Sequence, residues 1–211
     1  MSDRTRRLQS RFRTRSGLAP LTAVLLSTLA GCGESPDQGV IRRLESHGCR
    51  VDVAVRDTGE PVFKVTCAPG DLHPQTVGLL HQLPNLGQLS LSGATLDDAG
   101  LGQLAGLAQL EVLNLRGTQI SDAGLAQLAG FTQLKLLNLT ATGVSSDGLA
   151  ALRPLERLEM LHLAETRVGD AGLPSLSQLD RLKTVTLQGT PVTPRGVAGL
   201  RKARPDLRVV H

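Results

Sequence analysis

Three cysteines and five histidines are the side chains of this 211-residue sequence best suited to covalent or metal chemistry. Cys32 ends an apolar run inside "STLAGCGESPD", with the small residues Ala30, Gly31 and Gly33 around it. Cys49 and Cys67 sit in "CRVDVAV" and "PVFKVTC", two strand-like runs around "RDTGE" with Gly59 in the turn. A hairpin centred on Thr58 sets Cys49 opposite Cys67, Val51 opposite Val65 and Val53 opposite Phe63, all on one face. The two thiols then either form a disulfide, which an exported compartment permits, or pack as small hydrophobes. Among the histidines, His73 and His81 are eight apart across a turn and a helix, which is not a zinc spacing. His73 falls at a helix N-cap position, and His162 falls on the open face of a strand. No G-x-S-x-G, H-E-x-x-H or G-x-x-x-x-G-K-[ST] is present. The sequence therefore predicts no catalytic residues, no metal site, no cofactor and no enzyme.

The segment that places Cys32 has its own pattern. Arg4, Arg6, Arg7, Arg11, Arg13 and Arg15 stand against Asp3 alone, and then "GLAPLTAVLLSTLAG" follows. A basic segment, a short apolar segment and small residues make a secretory signal. The run is shorter than the roughly 17–25 residues of a membrane-spanning helix, although a short uncleaved anchor is the alternative. Leu29-Ala30-Gly31-Cys32 resembles the lipobox of bacterial lipoproteins. That resemblance implies cleavage before Cys32 and a lipid on its thiol, hence an exported protein anchored to a bacterial membrane. Gly33, where an aspartate would imply inner-membrane retention, favours the outer membrane. Arg6-Arg7 hints at twin-arginine export, but Leu8 and Gln9 fit it poorly, so ordinary secretion is expected.

The whole chain has 23 basic and 19 acidic side chains. Removing residues 1–31 takes away six arginines and one aspartate, leaving 17 against 18. The basic character belongs to the signal, and only Phe63 and Phe131 remain as aromatics. Neither an electrostatic footprint nor base-stacking platforms are left, so nucleic acid is not an expected partner.

The remainder is repetitive. "LGQLSLSGATLDDAGLGQLAGLAQ", "LEVLNLRGTQISDAGLAQLAGFTQ", "LKLLNLTATGVSSDGLAALRPLER" and "LEMLHLAETRVGDAGLPSLSQLDR" begin at residues 86, 110, 134 and 158, each 24 after the last. A fifth unit starts at Leu182, read with one extra residue so that "LRVVH" begins a sixth strand at Leu207. A worn unit starts at Val62. These units resemble the leucine-rich repeat family, in its short bacterial 24-residue form, over residues 62–211. The resemblance implies an α/β fold, a right-handed β-α solenoid or horseshoe. Its parallel sheet would line the concave face and short helices the convex one. Known members mostly bind other proteins. The ninth position, usually Asn in the family, is Ala94, Thr118, Thr142, Thr166 and Thr190.

The residues support the same shape. The L-x-L alternation turns Leu113 and Leu115 one way and Val112, Asn114 and Arg116 the other. Leu125, Leu128 and Phe131 recur at three, as on one face of a short helix. Pro74 and Pro194 mark first helical positions, so Asp97, Ser121, Ser145 and Thr193 are expected N-caps, with Asp98, Asp122 and Asp170 in the first turn suiting the helix dipole. Glycine at 100, 124, 148, 172 and 196 costs helix stability each time, which suggests a close approach of chains. The expected domains are a signal at 1–31, a tether at 32–38, a cap of helix and first hairpin strand at 39–61, and the repeats at 62–211. Val40, Ile41 and Leu44 form the apolar side of the cap helix.

Counting each unit from its first leucine, positions three, five and seven should face the concave side. Position three reads Gln88, Val112, Leu136, Met160, Thr184 and Val209; position five reads Ser90, Asn114, Asn138, His162, Thr186 and His211; position seven includes Arg116. Val112, Leu136 and Met160 would make an apolar strip, rimmed by Asn114, Asn138, His162 and Arg116. Such a strip is either an interaction site or packs on the cap or a second copy. Position two reads Glu111, Lys135, Glu159 and Lys183, an alternating ladder expected to pair with itself. The functional expectation is a lipid-anchored envelope protein that binds a protein or cell-wall component without catalysis; the alternative is an envelope spacer without a specific epitope.

Overall fold

The computed structural model describes residues 36–56, 59–70 and 72–211. The signal segment 1–31, Cys32 and the first residues of the expected tether lie outside them. Helix α1 (Pro36–Ser46) comes first. It begins inside the segment expected to be tether, because proline is pre-set for a first helical turn and Asp37 suits its dipole there. Leu44 is fully buried, and Val40 and Ile41 pack on the core. Strands β1 (Cys49–Val55) and β2 (Pro61–Cys67) pair antiparallel, with Cys49 opposite Cys67, Val51 opposite Val65 and Val53 opposite Phe63. A disulfide joins Cys49 and Cys67, and both are buried.

From β2 onward the sheet is parallel: β3 (Leu86–Ser90), β4 (Val112–Asn114), β5 (Leu136–Asn138), β6 (Met160–His162), β7 (Thr184–Thr186) and β8 (Arg208–Val210), each beside the next. Every strand from β3 to β7 pairs with residues 24 further on. The L-x-L leucines turn inward, and Leu89, Leu113, Leu137 and Leu161 form one column of the core. The convex side carries α2 (Pro74–Leu80), α3 (Asp98–Gly102), α4 (Asp122–Leu125), α5 (Leu173–Ser177) and α6 (Pro194–Ala203). Between them, Ala126–Gly130, Asp147–Leu152 and Asp170–Gly172 are 3₁₀ rather than α-helical. The tighter coil climbs about 2.0 Å per residue against 1.5 Å for the α-helix, which suits a short unit that must return to the sheet in few residues.

The ninth-position threonines serve the turn as their hydroxyls permit. Thr118 Oγ1 donates to the Leu115 carbonyl at 2.6 Å, Thr142 to Leu139 at 2.7 Å and Thr166 to Leu163 at 2.6 Å, all buried. The residue before each is left-handed. Gly93, Gly117 and Gly189 adopt this without strain, whereas Ala141 and Glu165 hold it at φ 56° and 58°.

The aspartates do more than face a dipole. Asp98 Oδ1 accepts from the Ser121 N–H at 2.8 Å and its Oδ2 from the Ser121 hydroxyl at 2.5 Å. Asp122 holds Ser145 in the same way, at 2.7 and 2.6 Å, and Asp170 holds Thr193, at 2.8 and 2.6 Å. Each hydroxyl then accepts from a helical N–H: Ser121 from Ala123, Ser145 from Asp147 and Thr193 from Gly196. So the carboxylate of one repeat orients the hydroxyl that opens the next helical turn; Ser121 and Thr193 are the N-caps expected, whereas Ser145 lies one residue before Ser146, the cap of its 3₁₀ turn. Where Gly169 lacks a hydroxyl, Ser146 replaces the aspartate and bonds the Gly169 backbone instead. The recurring glycines make room for this latch. A Cβ on Gly148 or Gly196 would run into the Asp122 or Asp170 carboxyl.

These two bonds from Thr193, the hydroxyl's first and the amide's second, hold the Asp170 carboxyl below its ordinary range. A carboxyl depressed in the folded state stabilises fully above its unfolded value, and the contribution is lost as pH falls through the folded value. The urea midpoint of Asp170→Asn should therefore fall less than that of the parent between about pH 5 and pH 2. Parallel acid limbs for the two proteins would refute the latch at this position.

Candidate binding surface

The apolar strip comes from strict strand register. Val112 lies beside Leu136 and Leu136 beside Met160, while Asn114, Asn138 and His162 form the parallel row one pleat away. Met160 is 39% exposed, and Val112 and Leu136 are half-buried. Arg116 is exposed at the end of β4. Thr140, in the same position on the next repeat, is buried. A groove of about 340 Å³ runs from Lys64 and Thr66 on β2 past Gln88 and Ser90 to Asn138 and His162.

The row is hydrogen-bonded with a consistent sense. Asn114 Oδ1 accepts from the Arg116 N–H at 3.0 Å, and Asn138 Oδ1 from the Thr140 N–H at 2.9 Å. Asn114 Nδ2 donates to Ser90 Oγ at 3.2 Å. His162 Nδ1 lies 3.0 Å from Thr186 Oγ1.

Two expected members of this face stand elsewhere. Val209 pairs with Val185 and is buried, and Arg208 and Val210 take positions three and five beside Thr184 and Thr186. His211 lies past the strand, its Nε2 2.9 Å from the Val192 carbonyl. The strand step from β7 to β8 is 24 residues like the others, so the unit has no extra residue. Leu207 resembles a first-position leucine and is buried, but it occupies the second position of the register.

The second-position charges pair in twos rather than as a ladder. Glu111 bonds Lys135 at 2.8 Å and also Arg56 of the hairpin at 2.7 Å; Glu159 bonds Lys183 at 2.7 Å. That bond to Lys183 lowers the Glu159 carboxyl. Exposed pairs of this kind contribute little to stability. His73 caps α2 without a side-chain bond, and His81 lies 3.0 Å from the Gln103 carbonyl. No cluster of three or more His, Cys, Asp or Glu suited to a metal ion occurs among the described residues.

A sequence model of the family described as Leucine Rich repeat matches residues 109–129, most of one of the 24-residue units that strands β3 to β8 repeat. The fold is that of a leucine-rich repeat solenoid. The leucine-rich repeat ectodomain of the Arabidopsis receptor kinase HAESA, solved with an N-terminally extended IDA peptide hormone, is similar over 82% of this chain and 32% of that one, at 18% identity and a TM-score of 0.52. The ectodomain of the receptor kinase SOBIR1 from Arabidopsis thaliana matches over 75% of this chain and 95% of its own, at 19% identity and a TM-score of 0.44. A leucine-rich repeat protein of Leptospira interrogans matches over 66% of this chain and 34% of its own, at 21% identity and 0.46. This repeat protein thus spans about a third of the HAESA and Leptospira chains. No curated protein matches its sequence.

Proposed function

We propose that this leucine-rich repeat protein is a non-catalytic, lipid-anchored component of the bacterial cell envelope that binds a protein partner on its concave sheet. The observation that carries the binding reading is the partly exposed strip Val112, Leu136 and Met160, in register beside Asn114, Asn138 and His162. Apolar groups rimmed by polar ones are a frequent mark of an interaction surface. Leucine-rich repeat solenoids are typically protein-interaction modules, and that of HAESA was solved with a peptide ligand. The strip lacks Trp and Tyr, so modest affinity is expected. The anchoring reading rests on Leu29-Ala30-Gly31-Cys32 after a basic and an apolar segment. Attachment of two or more acyl chains would hold the protein stably to a membrane.

Two variants test the two halves. Cys32→Ala should leave residues 1–31 in place and abolish labelling by a radioactive fatty acid; a mutant still cleaved and labelled would refute lipidation. Val112→Ser with Leu136→Ser and Met160→Gln should keep the melting curve and lose the proteins captured from an envelope extract. Undiminished capture would remove the concave strip as the site. Capture of nothing but further copies of this chain would favour a spacer.

A further inference from the structure

We propose that the concave face takes an acidic, extended peptide segment, an inference that rests on the binding reading above. The first reason is the direction of its hydrogen bonds. Both Asn114 and Asn138 spend the carboxamide oxygen on the backbone N–H two residues ahead. That contact fixes the amide orientation, since the NH₂ group cannot accept from an N–H. Asn138 then turns two N–H donors to the groove, and Asn114 one beyond its bond to Ser90. A ligand along this row must supply acceptors.

The second reason is charge. Lys64 on β2, Arg116 after β4 and Arg208 on β8 are exposed on this face, and none pairs with a carboxylate among the described residues. Positions three, five and seven of β3 to β8 contain no Asp or Glu. The nearby acids are occupied: Asp52, opposite Lys64, is held by Arg50 through Nη2 at 2.9 Å, and Glu111 and Glu159 are held at the rim. The face therefore has cations at both ends and donors between them.

The third reason is the apolar strip, which suits a chain carrying apolar side chains among its acids and not an anionic polysaccharide. Size agrees. From β2 to β8 there are six strand steps of ~4.8 Å, about 29 Å, the reach of eight or nine extended residues.

The probe is a fluorescein-labelled peptide of about ten residues alternating Glu and Val, with a Gln–Val counterpart, titrated against the full chain in detergent by fluorescence anisotropy. The acidic peptide should bind at least about 10-fold tighter than the amide one, and less tightly as salt rises from about 50 to 300 mM. Lys64→Glu with Arg116→Glu, and separately Asn138→Asp, should each cost at least about 10-fold. Equal affinity for both peptides, lost in the strip variant, would overturn the acidic preference and leave the binding face standing. Failure of both peptides, with envelope capture also indifferent to the strip variant, would overturn the two together. Displacement by dextran sulfate from parent and strip variant alike would show a general polyanion surface, which also overturns the proposal.

Discussion

Arg204→Ala is expected to unfasten the last repeat and to lower stability by about 2–4 kcal/mol. Its side chain is 13% exposed, and the guanidinium donates to three backbone carbonyls of the preceding repeat, Ser177 at 3.4 Å, Leu179 at 2.9 Å and Asp180 at 3.2 Å, and to that of Leu182, which opens its own repeat, at 3.1 Å. Asp206 completes the shell from the other side and, chiefly through that bond, raises the arginine's affinity for its proton. Alanine would leave these carbonyls short of a partner in a partly buried site, where an unmade bond costs more than a made one contributes. Lysine would restore the charge but not the planar fork, so Arg204→Lys should recover less than half of the loss. Because each repeat touches only its neighbours, the damage should be local. Hydrogen exchange should quicken about 100-fold in β7 and β8 and stay unchanged in β4 and β5. Uniform protection in the variant would show that the arginine does not fasten the end.

The second large effect concerns a missing side chain. Gly148→Ala should cost about 2–3 kcal/mol, far above the ordinary effect of adding a methyl to a helical glycine, which is stabilising. The new Cβ would meet the Asp122 carboxyl carbon at 2.8 Å and its Cβ at 2.9 Å. Asp122 would have to release both bonds to Ser145 to escape it. If that is the cause, the cost disappears once the whole Asp122 side chain is gone. Gly148→Ala made in an Asp122→Gly background, which removes the Cβ as well as the carboxyl, should be close to neutral, and the coupling energy of the cycle should approach the whole cost of the single change. Additive effects by urea denaturation would show that the glycine answers to something else.

Much of this fold could be read because its signals are local and recur. The period of 24, the inward leucines, Pro194 and Pro74 at helix starts, and the hairpin pairing of Cys49 with Cys67 all follow from spacing along one stretch of chain. The strip was legible for the same reason: strands in register place every third position side by side. Four features were not. The Asp122–Ser145 bonds span 23 residues, so within its own turn Asp122 looks like a dipole partner and nothing more. Arg204 sits among other basic residues at the end of a helix, and its sequence carries no sign of the four carbonyls waiting 22 to 27 residues back. The last strand misled because Leu207 has the look of a first-position leucine, while register is decided by backbone pairing with β7 and by Val209 entering the core. On the concave face, residue types were visible but the sense of the hydrogen bonds was not, since it depends on where the Asn114 and Asn138 amides turn.

The latch has a consequence for how such a chain can grow. Strand pairing counts 24 residues, and the aspartate counts 23 to the cap of the next unit, so both contacts impose one module length. Both ends are closed by other means: the disulfide-bonded hairpin at one, and at the other Arg204 together with Arg201, which donates to the Val209 carbonyl on the free edge of β8. Interior modules are therefore interchangeable in a way the ends are not. A duplication of 24 residues between β4 and β5 brings its own aspartate, cap and glycine, and lengthens the concave face by one strand. An insertion of 23 or 25 breaks two counts at once. Gene duplication can thus adjust the reach of this surface in single-strand increments while leaving both termini untouched.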